Sequence, residues 1–172
     1  HLDGLYMGYG DGSFIHAVSL DNDKSWRKLL AAPAEAAFAL RIIDRASADA
    51  PMASTWRFLG HEGEEIAGLA PTEAGYDPRR RPWYQQAMAA PGTVSVGPYV
   101  TATTRALALT LAERHHSGDG TVAGADILLA TIARFLGDEK VSARAAAFIL
   151  DDTGSLVIHS DPTLMEKLLL LQ

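Results

Sequence analysis

The sequence predicts an α+β fold in which an antiparallel sheet carries a few helices. Two observations predict it. Short apolar, alternating runs recur in pairs around turns rich in Gly, Asp and Ser, which is the composition of β-hairpins. Only a few segments show the wider apolar spacing or the punctuation of a helix.

Taken in order, residues 5–9 and 13–20 read as two strands around Gly10-Asp11-Gly12. Residues 21–35 form a polar loop that holds a short helix around Trp26–Leu30. Phe38–Asp44, with Ile42 and Ile43, reads as a buried strand. Thr55–Leu59 and Glu65–Leu69 make a hairpin around His61-Glu62-Gly63, and Pro71–Pro78 is a loop. A helix opens at Pro82, where proline's absent N–H costs nothing, and Pro91-Gly92 stops it. Val94–Tyr99, Ala106–Arg114 and Thr121–Asp126 are strands, with a turn at Ser117–Gly120. Ile127–Leu136 is an amphipathic helix ending at Gly137, and Ala145–Leu150 with Ser155–His159 forms a last hairpin. The strand–turn–strand pattern that restarts after Gly137 predicts a second, incomplete domain.

With 172 residues, 48% apolar and 21% charged, the chain is long enough and apolar enough for a real core. A net charge of −6 excludes the basic face on which nucleic-acid binding depends. The absence of cysteine excludes disulfides, thiolate metal sites and thiol nucleophiles. No run approaches the roughly 20 apolar residues of a membrane span, and Leu168–Leu171 is too short to be one. The chain opens on His1, so it is expected to be a fragment whose membrane segments lie outside it.

Catalytic and metal constellations are not legible. Asp152-Thr153-Gly154-Ser155 has the composition of an aspartic-protease signature, but that chemistry needs two carboxylates sharing a proton, and a turn around Gly154 accounts for it. His115 and His116 are neighbours in a strand and would point to opposite faces. Gly8, Gly10 and Gly12 do not complete a dinucleotide-binding pattern. No cofactor, metal or catalytic residue is expected.

Residues 76–84, Tyr-Asp-Pro-Arg-Arg-Arg-Pro-Trp-Tyr, concentrate what chemistry there is. Pro82 pushes Arg81 toward an extended backbone at a helix entrance, where free N–H groups and a guanidinium fork suit one small anion. Trp83 and Tyr84 add aromatic faces with polar edges. A second reading stands beside this one: Trp83 and Tyr84 as core residues of the helix, and Arg79–Arg81 as a solvated loop.

This motif, followed by a small-residue helix, resembles the double Cache sensor domains, also called PDC-like domains. The resemblance extends to the early hairpin, Gly97-Pro98-Tyr99, Gly124-Ala125-Asp126-Ile127 and His159-Ser160-Asp161-Pro162. It implies two stacked modules after a long N-terminal helix, which would precede His1. Residues 1–137 would be the membrane-distal module and 138–172 the start of the membrane-proximal one. It implies that Arg81, Trp83 and Tyr76 hold a ligand carboxylate while Tyr84, Tyr99 and Asp126 hold an ammonium group. The ligand expected is an amino acid or other small carboxylate, with selectivity set around residues 21–35 and 44–60. The setting implied is the periplasmic part of a homodimeric inner-membrane receptor, with a nucleotide cyclase taken first among its outputs, ahead of a histidine kinase, a cyclic-di-GMP enzyme or a chemoreceptor. A ligand-free dimerisation or interaction module, in which Arg81 pairs with Asp126, is the alternative. A dimeric protease using Asp152 is the third.

Overall fold

The computed structural model describes residues 2–21, 24–47, 49–101, 103–116, 118–139, 142, 145–151, 153–161, 163, 164 and 167. The expectations for Asp152, Leu168–Leu171, Ser117 and Pro162 fall outside these residues. The described elements are β1 (Gly4–Gly8), β2 (Phe14–Ser19), α1 (Lys24–Leu30), β3 (Phe38–Asp44), β4 (Ala53–Leu59), β5 (Glu65–Gly68), β6 (Thr72–Glu73), α2 (Pro82–Ala89), β7 (Val94–Val100), β8 (Leu107–Arg114), β9 (Val122–Leu128), α3 (Leu129–Asp138), β10 (Phe148–Leu150) and β11 (Leu156–His159). Nine strands form one sheet in the order β5-β4-β3-β2-β1-β9-β8-β7, with β6 paired to β4, and β10 and β11 form a second sheet. The α+β architecture is the one expected.

Three local differences have physical causes. β9 continues two residues past Asp126, and Leu128 stays extended, so α3 starts at Leu129. Ile127 and Leu128 suit a strand as well as a helix, and no capping side chain marks the start. Within the expected Pro71–Pro78 loop, Thr72 and Glu73 pair with Ser54 and Ala53. A 3-10 turn at Pro78–Arg80 precedes α2.

The chain divides into two compact units. The larger holds Leu2–Val96 and Thr110–Asp126, and the smaller holds Gly97–Leu109 and the described residues from Ile127 onward.

In the larger unit, strand alternation sorts side chains between two faces. Gly4, Tyr6 and Gly8 of β1 and Phe14, His16 and Val18 of β2 are all buried on one face. The opposite face shows half-exposed Leu5, Met7 and Ile15. Val18, Leu20, Trp26 of α1, Ala36, Ala39 and Phe58 make the core cluster on the buried side. The smaller unit has its own cluster of Leu107, Leu129, Ala133 and Ile158. Leu129 and Ala133 lie one helical turn apart on α3, while Phe135 is exposed. In the β10–β11 turn, Gly154 takes a positive φ of 83° and the Asp151 carboxylate accepts from the Thr153 and Ser155 N–H groups.

Candidate functional site

The site in the larger unit is built from a register. Gly124 of β9, Tyr6, His16, Arg41 and Trp56 of β4 stand opposite one another across five adjacent strands. The side chains of Tyr6, His16, Arg41 and Trp56 share the inward face, where apolar residues would be the default. The neighbouring row places Asp126 opposite Gly4.

Asp126 is tied to this row by hydroxyls. Tyr6 donates to its Oδ1 at 2.6 Å and Thr110 of β8 donates to the same oxygen at 2.5 Å. Both donors are buried, so each needs a polar partner. Gly124 makes the arrangement possible: a Cβ there would lie 2.1 Å from Tyr6 Cε2. Tyr6 then packs against Trp83 of α2, with 4.7 Å between ring centroids and the rings tilted by 58°.

α2 is delivered by the Tyr76–Arg81 segment. Asp77 caps the 3-10 turn by accepting from the Arg79 N–H, and its carboxylate also grips the Arg79 side chain through Nε at 3.0 Å and Nη2 at 2.8 Å. That guanidinium holds the Asp77 carboxyl below its usual range. Arg81 is extended, at φ −92° and ψ 142°, immediately before Pro82, as its position before proline requires. Trp83 and Tyr84 are buried under β1, where Gly8 leaves the room: a Cβ on Gly8 would stand 2.8 Å from Pro78 Cβ and 2.9 Å from Trp83 Cη2.

Four of the six residues expected at the site are linked through one aromatic path. The Arg81 guanidinium lies 5.3 Å from the Tyr76 ring centre, a cation–π distance. Trp83 Nε1 makes a long 3.4 Å contact with the Tyr76 hydroxyl. Through Trp83 and Tyr6 the path reaches Asp126. Tyr84 packs edge-on against Trp83, but its hydroxyl donates to the Gly120 carbonyl oxygen. Tyr99 lies on the half of β7 that belongs to the smaller unit. Arg81 and Asp126 are not an ion pair with each other; the salt bridges among the described residues include Arg27–Asp21, Arg57–Glu65, His61–Asp21 and Arg79–Asp77.

A cleft of about 450 Å³ opens beside Tyr76 and Arg81, walled also by Met52, Ala74, Gly75 and Arg80. That volume is within the range of small-molecule sites. Among the described residues no group of three or more His, Asp or Glu side chains is placed to hold a metal ion. No helix among them is long and apolar enough to cross a membrane.

Two site residues escape the sequence reading. Arg41 sits 5.5 Å from the Tyr76 ring centre and 5.8 Å from that of Trp56, and its Nε donates to Ser54 Oγ at 2.9 Å. Burial lowers its pKa from the usual arginine value. His16 packs against Tyr6, Phe14, Trp26 and Trp56, with its Nε2 buried and lacking a hydrogen-bond partner. Burial, then the Arg41 charge, pushes its imidazole down to about 4, so it is neutral at physiological pH. The available signal was positional: a charged or titratable residue at the centre of a strand, in step with the inward apolar positions.

This fold is that of chemoreceptor ligand-binding domains. The ligand-binding domain of Pseudomonas fluorescens chemoreceptor CtaA in complex with L-serine matches with a TM-score of 0.53 at 20% identity, covering 95% of this chain and 50% of that chain. The ligand-binding domain of Campylobacter jejuni chemoreceptor Tlp3 in complex with 4-methylisoleucine matches with a TM-score of 0.52 at 11% identity, covering 95% of this chain and 46% of that one. The chain thus has the fold of these ligand-binding domains, the antiparallel double Cache, PDC-like fold that the motif's resemblance implies.

In sequence, the chain is 39% identical over 169 residues to Adenylate cyclase 1 of Rhizobium meliloti (strain 1021), covering 98% of this chain and 25% of that protein. It is 34% identical over 96 residues to the methyl-accepting chemotaxis protein PscA of Pseudomonas syringae pv. tomato (strain ATCC BAA-871 / DC3000), covering 55% of this chain and 15% of that protein. The chain thus spans about a quarter or less of these curated relatives and about half of the solved chains. No family model matches it.

Proposed function

We propose that this chain is the extracytoplasmic ligand-sensing part of a bacterial signal-transduction receptor, and that it binds an amino acid or a closely similar small carboxylate. The observation that carries this is the separation of Arg81 from Asp126 along one aromatic path, with Arg81 on the wall of a ligand-sized cleft. Arg81 offers a bidentate fork to a carboxylate. Asp126, oriented by Tyr6 and Thr110, supplies the negative charge that an ammonium group requires. Tyr76 walls the cleft, buried Trp83 packs between Tyr76 and Tyr6, and Tyr84 anchors α2 through Gly120. Solved neighbours named as complexes with L-serine and L-isoleucine support an amino-acid ligand.

In this reading the chain contributes a membrane-distal module, and its receptor is anchored through segments elsewhere in the protein. The half-exposed Leu5, Met7 and Ile15 support a dimeric receptor. The likeness to an adenylate cyclase along nearly the whole chain supports a cyclase output, and the likeness to chemotaxis proteins supports a chemotactic one. The ligand acts by binding two receptor states with different affinity.

A thermal-shift screen with the twenty amino acids and common organic acids tests the proposal. A ligand at about 100 times its dissociation constant adds about 2.7 kcal/mol of stability. Arg81→Ala is expected to remove that gain. If nothing in the screen stabilises the wild type, ligand sensing is wrong and a ligand-free interaction module takes its place.

A further inference from the structure

We infer that Arg41 is a second carboxylate receptor, and that the ligand is an acidic amino acid or a dicarboxylate and not a neutral amino acid. The inference rests on the ligand reading above and names the ligand's chemical class.

It starts from a charge count along the site. A neutral amino acid brings one carboxylate for Arg81 and one ammonium for Asp126, and is then fully matched. Arg41 remains. It stands on the inward face between Ala39 and Ile43, opposite His16 and Trp56. Its protein contacts are the Ser54 hydroxyl and the rings of Trp56 and Tyr76. None of the salt bridges among the described residues includes it. His16 beside it carries no negative charge in either protonation state and cannot serve as its counter-ion. A partly buried cation without an anion is costly, and an apolar residue would fill the same place between two aromatic rings at less cost.

The position of Arg41 says where its anion comes from. Arg41 and Arg81 flank the same Tyr76 ring, at 5.5 and 5.3 Å from its centre, and Tyr76 walls the cleft. Among the described residues the Arg41 hydrogen bond is made by Nε, and the residue is only partly buried, so its terminal nitrogens are the ones offered to a ligand. A second carboxylate on the same ligand would meet this guanidinium and give Arg41 the anion that its protein neighbours do not supply.

Calorimetric titration of the 172-residue chain with L-glutamate, L-aspartate, L-glutamine and succinate tests this. L-Glutamate or L-aspartate is expected to bind about tenfold or more tighter than L-glutamine, a difference of about 1.4 kcal/mol. Arg41→Met keeps a long apolar stem between the rings and is expected to erase that preference. Succinate separates the two sources of the second acid: binding as tight as L-glutamate means a dicarboxylate site, and weaker binding means an acidic amino acid. The inference is overturned if L-glutamine or other neutral amino acids bind the wild type as well as L-glutamate, or if the preference survives in Arg41→Met. An equal fall for both ligands in the variant also overturns it, by making Arg41 a packing residue. In those outcomes amino-acid sensing itself still stands, whereas no binding by any amino acid or carboxylate removes both. Should Arg41→Met fail to fold, the wild-type preference alone decides.

Discussion

The Tyr6 hydroxyl donates to Asp126 Oδ1 at 2.6 Å, joining the centre of β1 to β9 through side chains as well as through the ladder. Tyr6 is buried, and Thr110 donates to the same oxygen. Tyr6→Phe keeps the ring on Trp83 and removes one of these donors. The expected loss is about 1–3 kcal/mol of folding stability, the cost of depriving a buried polar group of its partner. Urea unfolding checks it. The same variant is expected to weaken any amino-acid ligand, because Asp126 loses the group that orients it, while succinate, which lacks an ammonium group, is affected less.

Gly124→Ala attacks the same contact from the other side. Its Cβ would fall 2.1 Å from Tyr6 Cε2 and 2.8 Å from Cζ, so the ring must leave its place over β9. Overpacking of this kind costs about 1–3 kcal/mol. A Tyr6→Leu background vacates the space, and there Gly124→Ala is expected to cost much less. The two substitutions would then be strongly non-additive in urea unfolding, as residues in direct contact are. Equal cost in both backgrounds would show that Gly124 serves the backbone and not the ring.

The fold was legible because hairpins are local. β1, β2, β3 and the β4–β5 pair follow from alternation and from turn residues within a few positions of each strand. The β9–α3 junction was not, because Ile127 and Leu128 satisfy both periods and tertiary packing decides between them. At the candidate site, the neighbours Tyr76, Arg81 and Trp83 come from one contiguous run, which a sequence shows directly. Arg41 and His16 were not legible in that way, because their meaning depends on cross-strand register: each is one polar residue in an apolar strand until β1 to β4 are aligned. Tyr84 shows the converse. Its type fits a ligand contact, but the fold turns its hydroxyl to the Gly120 carbonyl oxygen.

Asp77 separates a cap from a charge. Its carboxylate accepts the Arg79 N–H and binds the Arg79 side chain, fixing the turn from which Arg81 projects. Asp77→Ala is expected to cost about 1 kcal/mol, as loss of a capping residue does. Asp77→Asn retains an acceptor for the N–H and is expected to cost less. The carboxyl is held below its ordinary value, first by the Arg79 hydrogen bond, so its contribution is present at neutral pH and is lost as pH falls through that depressed value. Denaturation of wild type and Asp77→Ala should therefore converge in acid. Both variants should also weaken L-glutamate binding if the turn positions Arg81.

His16 makes a different prediction about acid. Its imidazole is buried among Tyr6, Phe14, Trp26 and Trp56, with Arg41 as the charged neighbour and Asp3 bound to the Trp26 indole. Folding lowers its pKa from 6.5 to about 4. The unfolded chain therefore takes up a proton on this residue at a higher pH than the folded chain does. Stability is unaffected above pH 6.5, falls progressively below it, and stops falling through this group below about pH 4. The full loss is about 3 kcal/mol, because each tenfold difference in proton affinity between the folded and unfolded chains is worth about 1.36 kcal/mol. His16→Phe has no proton to gain, so its stability should decline less than the wild type's over the same range. Taking the difference between the two proteins at each pH cancels the carboxylates, including Asp77. Urea unfolding between pH 7.5 and pH 4 measures it, and a difference that stays constant with pH would mean that His16 is solvated or paired in solution and is not a neutral core residue.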